Sequence, residues 1–546
     1  MTAMIRSFAF VLGLLALAAC SSQAPITPGE DTVPATGPVD FERVVRPVLA
    51  DALGSDGASY AAVMAAGPSG FVVPFDAEGS LLVRFAEDLP ADASVPFPGL
   101  RQLDGAALAT VKRWIEEGAR PAPDGMPGYG DATDLLMVGV QGENHVAILD
   151  ADSHRLIRRV YLDDHGLPSR PYGPHHFAFE PDGSAWYASL VSAGVVVKLR
   201  LDLMMDPSDP AYVLGRTPDD AFVTPGMLAL DASSNRIYVG RSTLSDPLAS
   251  GFGVLDRESM AYEVVATPFN VPHAMTVTPD GRYALTAELT GDQSRSRIAV
   301  YDAQSEDLTL VDVPVGDGGA REFIHFSILG AHHMGGMDHS GMDHSGMATY
   351  PYTATLTSRA TNEVLFFELA EDGTLTMTDT RPAGEGPYHA HASHDGSALI
   401  IPDQRGNTVT ILDAASREPV TVVANAGANG PLSQPHSPAP GFAGDKFFVT
   451  NSNLQGAWTP SFLFRSDGAP GEAPDFGNVA VYDMDGTLLE VIQLGHYPSG
   501  VEPVRIPAMD HDQMDHGEMD HGQMDHSQMD HSQMDHSQMD HDGMNP

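Results

Sequence analysis

The feature that most limits what this chain can fold into is a segment that returns along it at roughly 45 to 60 residue intervals, the period of propeller blades and other repeat architectures. Pro174-His175-His176-Phe177-Ala178-Phe179 runs into Pro181-Asp182-Gly183, and Pro272-His273-Ala274-Met275-Thr276-Val277 into Pro279-Asp280-Gly281. Tyr388-His389-Ala390-His391-Ala392-Ser393 runs into His394-Asp395-Gly396. Further along each repeat an apolar run ends in Asp, at Asp150, Asp302, Asp413 and Asp483. Short apolar runs separated by such turns predict a β-propeller in which each repeat is a four-stranded blade. Seven blades are expected over 134–504, with opening strands near His496, His175, Met227, His273, His325, His389 and His436. The first blade has no opening strand before Leu135, whereas strand-like Tyr497 to Glu502 follows the last, so the ring should close by overlap.

The innermost strand of every blade lines the axial channel, and residues at its start converge from all blades. His175, His176, His273, His325, His389, His391, His436 and His496 are therefore expected to gather as a ring of imidazoles, the commonest metal-ligating side chain. The competing reading is that each imidazole satisfies backbone groups near the channel. His145, His154 and His165 fall in turns and loops of the first blade and are expected to face solvent.

The tail, 505–546, is built almost wholly from metal-holding side chains. It repeats Met509-Asp510-His511, Met514-Asp515-His516, Met519-Asp520-His521, Met524-Asp525-His526, Met529-Asp530-His531, Met534-Asp535-His536 and Met539-Asp540-His541. The same unit recurs at 332–347, with Met337, His339, Met342, His344 and Met347. A thioether favours Cu(I), an imidazole suits both copper states, Zn and Ni, and a carboxylate adds a hard oxygen. Zinc, or weak binding of many metals by a solvated low-complexity tract, is the competing reading, but a zinc buffer gains little from thioethers. A five-residue period fits neither helix nor strand, so the tail should be a disordered string of sites, with a coil-like reach of roughly 35 Å. The pattern resembles the Met/His-rich tracts of bacterial periplasmic copper-resistance proteins of the multicopper oxidase and outer-membrane types. That resemblance implies copper as the partner, Cu(I) favoured and Cu(II) admitted.

At the other end, Arg6 precedes the apolar run Phe8 to Leu17, which is too short for a permanent bilayer span and has the layout of a cleaved signal over 1–20. Leu17-Ala18-Ala19-Cys20 resembles the lipobox of bacterial lipoproteins, which implies an acylated Cys20 and anchorage in the lipid bilayer of the cell envelope. Ser21 and Ser22, with no Asp, favour the outer membrane by the habit of that family. Residues 21–39, rich in Pro, Thr and Gly, read as a tether. Cys20 is the sole cysteine, so the acylated chain would have no thiol and no disulfide. The net charge is −44, and the body stays strongly negative without the tail, which excludes phosphate backbones and hence nucleic acid as partners.

Residues 40–121 predict a small helical domain, closed by a helix capped by Asp104, with Leu108, Val111 and Ile115 on one face and Gly118 at its end. The order Val45-Arg46-Pro47-Val48-Leu49, Ser80-Leu81-Leu82 and Trp114-Ile115-Glu116-Glu117-Gly118-Ala119 resembles a cytochrome c-like module. Where such a module carries its two thiols and axial His, this chain has Leu53-Gly54-Ser55-Asp56-Gly57, and Val95-Pro96-Phe97-Pro98 stands near the expected axial Met. Covalent haem needs those thiols and ligands, so no c-type haem is expected.

The propeller pattern resembles YVTN-type and nitrous oxide reductase-like propellers over about two-thirds of the chain. The second likeness implies a copper centre held by histidines at the axis. The chain has no recognisable cupredoxin domain and no cysteines for a binuclear electron-entry copper, which puts that reaction in doubt. The expected function is capture, buffering or transfer of copper, with a copper-handling or redox protein as partner. A copper-dependent oxidoreductase and an interaction scaffold are the alternatives. No hydrolase triad, phosphate-cradling loop or nucleotide fingerprint is present to support another class.

Overall fold

The computed structural model describes residues 38–507, except 55–57, 88–100, 167–172, 220–221, 223, 243–249, 293, 317–318, 330–349 and 461–475. The signal, Cys20, nearly all of the tether, the insert at 332–347, the Val95 to Pro98 stretch and the Met-Asp-His repeats lie outside the described residues.

Seven antiparallel four-stranded sheets form the blades of a β-propeller. Blade 1 is completed from both ends of the ring: Pro498–Arg505 is its inner strand and pairs with Asp134–Val140, Leu135 opposite Val504. Arg505 Nη2 bonds Asp134 Oδ2 at 2.6 Å across this seam. The inner strands of blades 2, 3, 4, 5 and 7 are Pro174–Phe179, Pro225–Asp231, Pro272–Val277, Phe323–Leu329 and Pro435–Pro440. In blade 6 only His391–Ala392 pairs as regular strand.

The middle strands are apolar at nearly every position because each blade is covered on both faces. Side chains alternate across a strand, so Leu135 and Met137 pack with Phe177 and Trp186 of blade 2. Leu136 and Val138 pack with Phe448 and Val481 of blade 7. The aspartates that end the third strands turn the chain by accepting from the backbone just beyond them. Asp302 Oδ1 accepts from Gln304 N at 2.9 Å, and Asp413 Oδ1 from Ser416 N at 2.7 Å.

The N-terminal region holds helices Arg46–Leu53, Tyr60–Met64, Leu81–Glu87 and Gly105–Glu116. The last forms as its sequence predicts: Asp104 Oδ1 accepts from Ala106 N and Ala107 N, and Gly118 leaves it at φ +97°. Val111, Trp114 and Ile115 are buried with Phe41 and Phe85. This unit sits on the outer strands of blades 1 and 7: Arg159 Nη1 meets Asp76 Oδ2 at 2.8 Å, and Gln493 N donates to Ser69 Oγ at 2.9 Å. Among the described residues no helix is long and apolar enough to cross a membrane.

Candidate functional site at the propeller axis

Each inner strand begins with an irregularity that decides which side chains reach the axis. In blade 2, Pro174 pairs with Leu190 and Phe177 with Ala188, three steps against two; the same extra residue occurs in blades 3, 5 and 7. Such a bulge breaks strict alternation, so two successive residues can face one side. His175 and His176 both reach the axis for this reason. The first residue after the opening position is His175, His273 or His436; the second is His176, His325 or His389.

Seven of the eight expected histidines come together. His389 is the hub, its ring centroid 4.8 Å from His436, 5.2 Å from His325, 5.6 Å from His175 and 6.3 Å from His273. His325 in turn stacks on His391 at 5.2 Å. His176 joins through Glu502, whose Oε1 lies 3.1 Å from His176 Nε2 and 3.2 Å from His391 Nε2. These are charge contacts off the N–H axis, since the three atoms have no aligned hydrogen-bond partner.

His496 is set apart. It ends Leu488–His496, the outermost strand of blade 7, where its ring lies 5.6 Å from Phe476 and its N–H donates to Glu143 Oε1. The inner strand of blade 1 instead opens at Pro498, after Tyr497 turns the chain at φ +53°. Counted from Pro498, Glu502 falls at the position that His391 holds counted from Pro387. Sequence reasoning missed Glu502, and aligning the opening prolines rather than the histidines would have found it. A second correction concerns His145, expected to face solvent. It is buried at the start of the third strand of blade 1, 5.4 Å from Tyr161, and burial lowers its pKa to about 3. His154 and His165 are half-buried, against Phe448 and Tyr212.

The cluster is buried and several of its nitrogens are oriented. His273 Nδ1 is held by the Arg241 carbonyl and His175 Nδ1 faces Gln141 Oε1 at 3.3 Å, while the Nε2 of each has no hydrogen-bond partner. His389 and His436 are fully buried with both nitrogens unpartnered. Burial, reinforced by neighbouring imidazoles, holds His175, His325 and His389 well below the usual histidine range. Burial is also the main cause for His273, lowered to about 4, and His436, lowered to about 3. In His391 burial is outweighed by the Glu502 carboxylate, which raises the pKa; in Glu502 burial is outweighed by the two imidazoles, which lower it. Most of the ring is thus neutral at physiological pH, with lone pairs free to donate. Fixing one ring nitrogen so that the other faces inward is how proteins prepare imidazole ligands, and orphaned buried nitrogens fit a cation with soft or borderline preferences. Among the described residues, no three His, Cys, Asp or Glu side chains already surround a metal-sized point, so the rings would have to turn to close on an ion.

No family model matches the chain, and no curated protein does. Among solved structures it is similar to the periplasmic gluconolactonase PpgL of Pseudomonas aeruginosa, at 18% identity over 68% of this chain and 99% of that one, TM-score 0.46. It is similar also to a streptogramin B lyase, at 16% identity over 61% and 89%, TM-score 0.41. A functionally unknown protein of Desulfotomaculum acetoxidans matches at 13% identity over 69% and 100%, TM-score 0.48. These likenesses carry no activity to this chain.

Proposed function

We propose that the chain is a copper-binding lipoprotein of the bacterial envelope. Residues 1–20 act as the signal, Cys20 carries the acyl anchor, and the tracts at 332–347 and 505–546 capture copper. The axial histidines store that copper or receive it for transfer to a copper-handling or redox partner. The helical region 40–121 is read as a cytochrome c-like module without its haem. The observation that carries the reading is the set of buried imidazole nitrogens at the axis with no protein partner, because leaving such groups without a partner costs stability that a bound cation would return. Thioethers in both tracts favour Cu(I) over zinc.

A second reading, a copper-dependent oxidoreductase, is favoured by a cavity of about 270 Å³ that ends on His176, His325, His391 and Glu502 and has room for a small molecule. Metal analysis separates the possibilities. Protein lacking both tracts, purified from copper-replete cells, is expected to retain stoichiometric copper in the body. A body without copper would leave capture to the tracts alone, and turnover of a small oxidant by the loaded body would favour the enzyme.

A further inference from the structure

The cavity just named is formed by the C-terminal halves of the inner strands, including Phe179, Val277, Ile328 and Pro503. Its floor is His176, His325, His391 and Glu502, and its rim is reached at the turn residues Pro181 and Pro279. The strand that contributes Ile328 ends at Leu329, from which the Met/His insert departs. The strand that contributes Pro503 ends at Arg505, two residues before the tail leaves at Pro507. Two tracts far apart in sequence are thus rooted at the rim of one cavity. Tethering donors beside a site raises their effective concentration there to the millimolar range.

The other end of the axis is covered by side chains. His273, His389 and His436 are fully buried beneath it, the Tyr388 ring stacks on His389 at 4.9 Å, and the Arg359 guanidinium lies 5.6 Å from the Tyr388 centroid. At that end the Arg359 guanidinium is paired with the Glu322 carboxylate, whereas the cavity floor presents the Glu502 carboxylate between His176 and His391. Local charge of this sign draws cations inward.

We infer that the cavity is the port through which cuprous ion passes from the Met/His tracts to the axial imidazoles, with the Glu502 carboxylate drawing the cation to the throat and His176, His325 and His391 as the first donors it meets. This rests on the reading that the axial cluster binds copper. Transfer is a ligand exchange without change of oxidation state: thioether and imidazole bonds from the tract break as bonds to the ring nitrogens form, with the Glu502 carboxylate offsetting the positive charge beside them.

The test mixes metal-free full-length protein, under anaerobic conditions, with cuprous ion held by a weak chelator, and quenches with a strong chelator at intervals to read copper retained in the body. Glu502→Gln is expected to slow filling tenfold or more. Ala392→Leu, at a half-buried position lining the cavity, narrows it without removing a donor and should slow filling as well. Deleting 332–347 and 508–546 leaves the described strands in place and should slow filling when copper is limiting. Filling at the wild-type rate in either folded point variant overturns the port. If neither variant folds, an unchanged rate in the deletion protein overturns it. A body that takes up no copper even at equilibrium instead overturns the reading beneath it.

Discussion

Replacing His389 by Leu tests the economy of the axis from both sides. The ring is fully buried at the centre of the cluster, and neither nitrogen has a hydrogen-bond partner. Each unsatisfied buried polar group costs about 1–3 kcal/mol. Leu is close enough in volume to avoid a large cavity and removes both nitrogens. Against this stands the loss of stacking on Tyr388 and His325, at 4.9 and 5.2 Å, worth about 0.5–1.5 kcal/mol for such pairs. Removing two unsatisfied nitrogens outweighs the lost stacking, so the metal-free variant should be more stable than the parent by about 1–2 kcal/mol, read as a higher urea midpoint at equal slope. Copper should cancel most or all of that advantage. Ligand at a hundredfold excess over its Kd stabilises the folded state by about 2.7 kcal/mol; a variant whose affinity falls at least tenfold forfeits about 1.4 kcal/mol or more of that gain. A metal-free variant less stable than the parent, together with an equal copper-induced shift in both proteins, would refute the reasoning.

Three further outcomes are expected. Burial raises the Asp403 carboxyl to about 6 although Thr408 and Thr410 donate to it at 2.8 and 2.7 Å. The folded state therefore holds a proton that the unfolded state has lost between about pH 4 and 6, stability falls by about 2 kcal/mol as pH rises through that window, and Asp403→Asn should flatten the dependence in urea melts at pH 4.5 and 7. Gly500 lies where a Cβ would stand 1.9 Å from the His175 carbonyl oxygen, so Gly500→Ala should cost about 3 kcal/mol or more through forced separation of blades 1 and 2, and a thermal melt at the parent's temperature would count against that packing. Cys20→Ser should move the protein from the detergent phase to the aqueous phase on membrane fractionation, with an unchanged partition arguing against acylation.

Much of the architecture was legible because it is written in local chemistry. Asp104 and Gly118 mark the ends of one helix, and Asp302 and Asp413 cap turns by bonds made within a few residues. Blade count followed from turn chemistry repeated at one period. The details of the axis were not legible in the same way, because the bulges that let His175 and His176 point the same way depend on pairing with a distant strand. The histidine pattern itself misled at the seam, where His496 drew attention from Pro498 and hid Glu502. His145 falls among the turns and loops of the first blade in sequence, which predicts exposure, yet the packing of Glu143, Tyr161 and Arg159 around blade 1 encloses it.

The central claim, that sulfur and nitrogen donors give this protein a preference for cuprous ion, is tested most directly by competition. Full-length protein equilibrated anaerobically with equal activities of cuprous ion and zinc, then separated and analysed for metal, should carry copper in clear excess in the tracts and body alike. Equal occupancy by zinc would contradict the account.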